Sequence, residues 1–586
     1  MLLPTTTKEV RAFGWQQLDV ILISGDTYID SPFTGVAVIG KLLLKQGFRV
    51  GIIAQPDINS DKDISRLGEP SLFWGISSGA VDSMVSNYTA LKKRRKTDDY
   101  TPSGLNNRRP DRAVIAYSNL VRRYFKKTCP IVLGGIEASL RRICHYDFWS
   151  DSIRRSILFD AKADYLIYGM GESAVVELAN ALKNRDSSSI YKIRGLCYIS
   201  NTSLAQNSYI TLPPYQVVVQ DRLKFIESFH LFYKNNDPLT AKGLIQEHDS
   251  RCLIHNPPQF YPNTQEMDNI AALKFEREVH PYYEKLGKVK ALDTIQFSIS
   301  THRGCYGECN FCSIAIHEGR CVRWRSEASI INEVKEMTLH PNFKGIISDI
   351  GGPTANMYGF ECQKKLKSGA CLDRRCIFPT VCKNLKPDHS KLINLLKKIR
   401  EIKGVRRLFV ASGIRCDLIF SDQKYGDKYI EEVTLNHVSG QLKVAPEHIK
   451  AHILELMGKS DSSYLLKFKK IFDTLSLKSN KKQFLTYYLM AAHPGCTFDD
   501  MIELKKFVHD KLKITPEQIQ IFTPTPSSYS TLMYYTEICP FTEKKLFVEK
   551  GVAGKDRQKG VILKKGVKLA NRREEFLKKD WDTEQK

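Results

Sequence analysis

The sequence predicts an α/β chain in two parts: an N-terminal Rossmann-like open sheet, then a partial (β/α)6 barrel of the TIM type. Three observations predict it. Over about residues 15–200, short apolar runs alternate with helical patterns through glycine turns. After residue 290 a second series of six strand-like runs begins, each closing on a polar or glycine-rich segment. Between the two series the periodicity weakens, which sets a boundary near 285–295.

The first series opens with residues 18–24 (LDVILIS), the loop GDTYIDSPFTG, a helical pattern from Val36 to Gln46, a stop at Gly47 and a strand over Phe48–Ala54. Further strands are expected at Leu72–Ile76, Ala113–Ala116, Ile131–Gly134 and Tyr165–Tyr168, the last followed by GMGESAVVELANAL, a glycine turn into a helix. Ligands of such sheets sit at the carboxyl ends of the strands. Gly25, Gly134–Gly135 and Gly169–Gly171 therefore either cradle a phosphate or cofactor tail or simply close turns. No G-x-G-x-x-G with a downstream acid occurs, so a dinucleotide site is not expected. Ser86–Arg112 reads as a long basic surface loop, and 201–290 as a connector with some strands and a helix. The expected division is 1–200, 201–290, a barrel over 291–540 with a cysteine-rich insertion at 360–385, and a basic tail over 541–586.

The six barrel runs are Thr294–Ser298, Gly345–Ile350, Arg407–Ala411, Gln441–Ala445, Phe484–Met490 and Gln518–Phe522. They end in STHRGC, GGPT, SGIRCD, PEH, AAHPG and TPTPSS. In an α/β barrel these loops converge on one mouth, so six separate stretches are expected to surround one pocket.

Composition narrows the class. Of 586 residues, 42% are hydrophobic and 26% charged, as in a globular protein rather than a disordered chain. No apolar run approaches the roughly 18 residues of a membrane span. The start, MLLPTTTKEVRAFGW, lacks the pattern of a secretory signal, and a cytoplasmic location is expected. Lys plus Arg number 88 against 64 Asp plus Glu, a net +24 that fits an anionic or nucleic-acid partner or a solvated basic surface.

Fifteen cysteines without a signal segment point to metal ligands rather than disulfides. Cys305, Cys309 and Cys312 have the spacing C-x3-C-x2-C just after the first barrel strand. Three thiolates on a short loop can hold three corners of a 4Fe-4S cube and leave one iron open to a small molecule. Zinc is the competing reading, with His302 or His317 completing a tetrahedron. Cys362, Cys371, Cys376 and Cys382 form a second group in a basic loop without regular period. They are expected to hold a second 4Fe-4S cluster or zinc, against the alternative of unliganded thiols.

The triplet matches the signature of the radical S-adenosylmethionine (SAM) superfamily. With GGPTANMYG, SGIRxDL, LKVAPEH, LMGKS, YYLMAAHPGCT and IFTPTPSxxSTxMYYT, and the N-terminal DVILxxGDxYxDSPFxG and GFRVGIIAQPD, the chain resembles the YgiQ family of radical SAM proteins over nearly its whole length. The resemblance implies that Cys305, Cys309 and Cys312 ligate the reactive cluster, with SAM at the open iron. It implies that Phe311 contacts the adenine, and that Gly351 and Gly352 meet the methionine amino group. The superfamily often has Gly-Gly-Glu there. This chain has Pro353 and Thr354 after the glycines, so Thr354 or a carbonyl must serve. Ser412 and Arg415 are expected near the ribose and carboxylate, and Glu447 and His448 near cofactor or substrate, unless the last two merely cap a helix.

The expected activity is reductive SAM cleavage to a deoxyadenosyl radical that abstracts hydrogen from a substrate the sequence does not name. The expected reductant is an electron donor such as flavodoxin or ferredoxin. The N-terminal sheet resembles a cobalamin-binding domain, but the loop Gly25–Pro32 lacks the axial histidine of such sites. The domain is thus expected to bind substrate or a partner ahead of cobalamin without that ligand. Two alternatives are an RNA-modifying, methylthiotransferase-like enzyme and a zinc-bearing nucleic-acid-binding or scaffold protein.

Overall fold

The computed structural model describes residues 1–201 and 209–563. Nine strands form one sheet in the order Val50–Ala54, Val20–Ser24, Phe73–Ser77, Ile131–Leu133, Tyr165–Ile167, Leu196–Ser200, Arg251–His255, Gly243–His248, Tyr209–Thr211. The first five are mutually parallel. Val20–Ser24 and Val50–Ala54 are buried along their whole length, which is why they read as unbroken apolar runs rather than alternating ones. At Tyr165–Ile167 the pairing turns antiparallel, with Tyr165 opposite Tyr198 and Cys197 opposite His255, while the edge strand Tyr209–Thr211 pairs in parallel with Gly243–His248. The sheet therefore runs on past residue 200, and three of its strands come from the stretch expected to connect the two parts.

Three local expectations are corrected. Ala113–Ala116 is not a strand but the first turn of the helix Ala113–Tyr124, whose buried residues Ala113, Val114, Tyr117, Leu120 and Val121 follow the helical period. The loop Ser86–Arg112 is not wholly at the surface. Arg109 is buried, with its guanidinium 2.6 Å from Asp26 and 3.0 Å from Asp98. Thr294–Ser298 is not the first barrel strand, because the helix Ala291–Ile295 takes its first two residues and the strand is Ser298–Ser300.

The barrel strands pair in parallel around the mouth. Ser298–Ser300 pairs with Asp349–Gly351, Ile346–Ile347 with Arg407–Leu408, and Gln441–Glu447 with Phe484–Ala491, which also pairs with Gln520–Ile521. A bridge from Ile414 to Val444 joins the third segment to the fourth. Helices Glu327–Thr338, Ser390–Arg400, Gly426–Asn436, Ser463–Lys478 and Phe498–Phe507 turn apolar faces inward, and Val334, Leu395, Val433, Phe472 and Leu504 meet in one core.

Past Pro540, helix Val552–Ile562 packs on Phe498–Phe507 and buries Ile562. The basic tail expected to 586 lies outside the described residues after 563. No helix among the described residues is long and apolar enough to cross a membrane.

Candidate active site

The cysteine triplet hangs from the first barrel strand on a loop fixed from several sides. Gly304 has φ +83°, and a Cβ there would lie 2.3 Å from the Cys321 carbonyl oxygen, so only glycine makes this turn. Glu308, between the first two cysteines, adopts the left-handed conformation at φ +45°. Its carboxylate lies 2.7 Å from Arg320 Nε and accepts a hydrogen bond from Tyr233 at 3.3 Å. Arg375 donates to the Glu308 carbonyl at 2.9 Å and to the Asn310 side chain at 2.6 Å, and Asn310 donates to Leu456 O at 2.8 Å.

Within this frame the thiols of Cys305 and Cys309 face Gly307: a Cβ on Gly307 would stand 3.3 Å from one sulfur and 3.5 Å from the other. The Gly307 N–H donates to Cys305 Sγ at 3.3 Å, Thr354 Oγ1 lies 3.6 Å from the same sulfur, and Arg415 Nη1 lies 3.8 Å from Cys309 Sγ. Burial and the neighbouring Cys309 push the Cys305 thiol up, and push that of Cys312 to about 12.

Residues from the other strand ends close in around the thiols. Burial opposes ionisation of Asp417, but the Arg415 guanidinium beside it holds its carboxyl below the usual range, with Arg415 Nε 3.1 Å away and Ser460 donating at 2.7 Å. Glu447 sits at a bulge in its strand with φ +64°, which turns its side chain into the mouth. There it lies 3.5 Å from Lys459 Nζ, which also stands 6.0 Å from the centre of the Phe311 ring. Ser412 donates to Asp349, whose other oxygen accepts from Ala411 N at 2.8 Å. Gly352 must be glycine, since a Cβ would meet His302 Nε2 at 2.6 Å.

Of the residues singled out from sequence, Thr354 and Arg415 stand beside the thiols, and Phe311 and Glu447 border them through Lys459. Gly351, Gly352 and Ser412 instead line an adjoining cavity. His448 turns away. It is buried beside Cys496, and its Nδ1 accepts from the Lys450 N–H at the start of helix Ala451–Met457. Asp349, Asp417 and Lys459 were not singled out. The motif strings SGIRxDL and LMGKS contain the last two, but nothing in one dimension shows that they meet.

Both histidines considered as zinc ligands are engaged elsewhere: His302 with Thr301 and Thr354, at 2.8 and 3.0 Å, and His317 with Ser139, at 3.1 Å. Among the described residues no three His, Cys, Asp or Glu side chains are arranged to hold a single metal ion. A cube-shaped cluster asks for a different geometry, one thiolate per iron.

The second cysteine group splits between core and surface. Cys362 and Cys376 join a small apolar cluster with Tyr306 and Met357, and Lys365 Nζ lies 3.4 Å from Cys376 Sγ. Cys371 and Cys382 are half-buried, and the Cys382 N–H donates to the Cys376 carbonyl at 2.8 Å.

The cavity, about 590 Å³, lies between the two parts of the chain. One wall is the carboxyl end of the nine-stranded sheet, at Ser77, Gly134, Gly135 and Gly169, and the other is the barrel mouth, at Ser300, Gly351 and Ser412. At Gly134 an added Cβ would meet nothing closer than the Ile167 carbonyl at 3.9 Å, so the missing side chain keeps the cavity open rather than relieving a clash. An ion pair between Glu172 of the sheet and Arg303 of the barrel, both part-buried, also lines it.

Residues 2–298 match the family model described as Radical SAM N-terminal. A UPF0313 protein of Fusobacterium nucleatum is 55% identical over 564 residues, covering 96% of this chain and 99% of that one. This chain belongs to the YgiQ (UPF0313) family of radical SAM proteins. A second YgiQ-family relative, the UPF0313 protein of Thermotoga maritima, is 47% identical over 569 residues, covering 97% of this chain and 99% of its own. The YgiQ-family fold is similar to that of TsrM, a radical SAM methyltransferase from Kitasatospora setae solved with cobalamin and a [4Fe-4S] cluster. The TM-score is 0.51 at 14% identity, over 88% of this chain and 77% of TsrM. The YgiQ-family chain is thus a radical SAM enzyme with an α/β sheet domain ahead of its barrel.

Proposed function

We propose that this enzyme cleaves SAM reductively at a 4Fe-4S cluster held by Cys305, Cys309 and Cys312, and uses the resulting radical on a substrate in the cavity between sheet and barrel. The observation that carries the reading is the convergence of the Cys305 and Cys309 thiols on Gly307, a position with no side chain, beside the Arg415 guanidinium. Such a cluster, when bound, would supply one electron to SAM at its open iron, and the deoxyadenosyl radical so released would take a hydrogen atom from substrate.

The chain's own residues prepare that chemistry. Arg415 offsets the negative charge of thiolates and is itself fixed by Asp417, whose carboxylate also accepts from Ser460. Lys459 and Glu447 offer a cation and an anion at the mouth, where an amino acid carries both charges. Thr354 brings a hydroxyl beside Cys305, one residue past Pro353, the position that Gly-Gly-Glu proteins give to a carboxylate. The apolar walls of the cavity, among them Phe33, Phe73 and Ile299, exclude water from a reactive carbon radical.

The test is anaerobic reconstitution with iron and sulfide, followed by dithionite and SAM. Release of deoxyadenosine is expected. An intact cluster that releases none above background overturns the reading.

The cavity at the carboxyl ends of the sheet favours a second reading, in which a corrinoid lies there and carries a methyl group. The Gly25–Pro32 loop offers it no side-chain ligand. Asp26 is paired with Arg109, and Asp30 lies 2.6 Å from Lys41. Titration with hydroxocobalamin, followed by a shift in its visible spectrum and co-elution, decides between an occupied and an empty cradle.

A further inference from the structure

The insertion that carries the second cysteine group is also strongly basic. From Glu361 to Lys386 it holds seven Lys and Arg against two acids. One acid, Glu361, is buried and lies 3.0 Å from Lys365. The other, Asp373, is the sole exposed acid of the segment. Lys364, Lys367, Arg374, Lys383 and Lys386 are exposed. They belong to one patch. Lys364 and Lys367 lie three apart on helix Gln363–Ser368, and so on one face. Lys365 of the same helix reaches Cys376, whose carbonyl holds Cys382 next to Lys383. Leu372, 64% exposed, adds an apolar contact point within this basic rim.

The patch is bonded directly to the triplet loop. Arg375, next to exposed Arg374, holds the Glu308 carbonyl and the Asn310 side chain, both inside the Cys305–Cys312 loop. Its guanidinium also stands about 6 Å from the rings of Tyr529 and Phe541, at 5.7 and 6.0 Å, which fix its direction. Tyr306, the residue after Cys305, donates to the Phe360 carbonyl at the root of the insertion. A protein seated on the patch is thus one residue away from the backbone that presents the three thiols.

We infer that this face is the docking surface for an acidic one-electron carrier protein. The inference rests on the proposed function, which needs an electron from outside. In the transfer the carrier is oxidised by one electron and the triplet's cluster is reduced by one, with no bond made or broken. The fit is one of charge: a flavin or iron–sulfur carrier with an acidic face around its redox group meets five exposed cations, of which Arg374 is already paired with Asp373 at 3.3 Å, and such pairing sets encounter rate and orientation. It requires no metal at the four thiols of the insertion.

The experiment uses the full chain and flavodoxin as the probe, with Lys364→Glu, Lys367→Glu, Arg374→Glu and Lys383→Glu combined in one variant. None of these residues lies at the triplet or the cavity. Calorimetric titration with oxidised flavodoxin is expected to show binding at low salt. That binding should weaken by roughly tenfold or more at 0.3 M salt, and by about as much in the variant. Reduction of the cluster by photoreduced flavodoxin, followed by bleaching of its visible absorbance, should slow by a similar factor, while reduction by dithionite stays at the parental rate. Parental binding by the variant overturns the inference, as does absence of binding by the parent. It is also overturned if the variant loses retention of RNA while keeping its reduction by flavodoxin. If dithionite fails to drive SAM cleavage in the parent, the proposed function falls, and the binding arm still decides the docking surface.

Discussion

Arg415 reaches from the end of the third barrel segment to within 3.8 Å of Cys309 Sγ while Asp417, two residues on, grips the same guanidinium. The cation is therefore held beside the thiols rather than swinging in solvent. Its removal changes the charge next to a cluster without touching a ligand. The Arg415→Gln variant, reconstituted anaerobically, is expected to keep its iron content but show a lower midpoint potential, on the order of tens of millivolts, in an EPR-monitored redox titration. An unchanged potential removes Arg415 from the site.

The second cysteine group is tested by metal analysis. If the group holds a metal, a Cys371→Ala/Cys376→Ala variant loses it relative to its parent while retaining the EPR response of the triplet's cluster to SAM. Equal metal content in variant and parent means that the four thiols hold none.

Gly134 probes the cavity. A leucine there has room to stand, because the backbone is extended (φ −155°) and the nearest atom to its Cβ is 3.9 Å away. Its side chain would fill space now open. Thermal unfolding within a degree or two of the parent is expected, together with a tenfold or greater loss of turnover once the substrate is known, or of corrinoid retention under the second reading.

The Glu172–Arg303 pair ties sheet to barrel. Burial raises the cost of ionising Glu172, yet the adjacent guanidinium keeps its carboxyl below the usual range. Glu172→Gln removes the nearest counter-charge of a part-buried arginine and should destabilise by about 1–3 kcal/mol, read as a drop in Tm. The double variant Glu172→Gln/Arg303→Met should recover much of that loss. A single variant as stable as the parent refutes the coupling.

Lys555 sets a pH dependence. It is 2% exposed on helix Val552–Ile562 and donates to Tyr534 Oη at 2.8 Å. Burial, with Lys92 and Lys550 nearby and only Glu549 and Asp151 opposing them, pulls its amine down to about 8 from 10.5. Below pH 8 the amine is charged in both states and the burial cost is fully present. Between about pH 8 and 10.5 the unfolded chain holds a proton that the folded one has released, so stability rises with pH. Lys555→Met should flatten that rise and stabilise the protein at pH 7 by on the order of 1–2 kcal/mol. Parallel Tm–pH curves for both proteins would falsify the assignment.

The two-part architecture and the triplet were legible because each rests on a local pattern. Unbroken apolar runs such as Val20–Ser24 mark doubly buried strands, and C-x3-C-x2-C fixes three thiols within one loop. Where reading failed, the local signal was too short to decide. AVIA at 113–116 suits a strand until Tyr117, Leu120 and Val121 are seen to continue its buried stripe at helical spacing. TIQFS suits one too, but helix Ala291–Ile295 takes its first residues. The burial of Arg109 depends on Asp26, more than eighty positions away, and basic composition alone reads as surface. At the site, the partnership of Lys459 with Glu447 depends on a bulge that turns one carboxylate, and no periodicity encodes it. His448 stands next to Glu447 in sequence, and the same bulge sends the two to different environments.

The ties between Tyr233 and Glu308, and between Glu172 and Arg303, make the chain indivisible in the laboratory. A fragment starting near residue 290, the customary cut for isolating a catalytic barrel, would leave Arg303 without its ion-pair partner Glu172 and the thiol loop without one of its braces. It would also strip the sheet-side wall of the cavity. Crystallisation and spectroscopy of this enzyme therefore call for the undivided polypeptide.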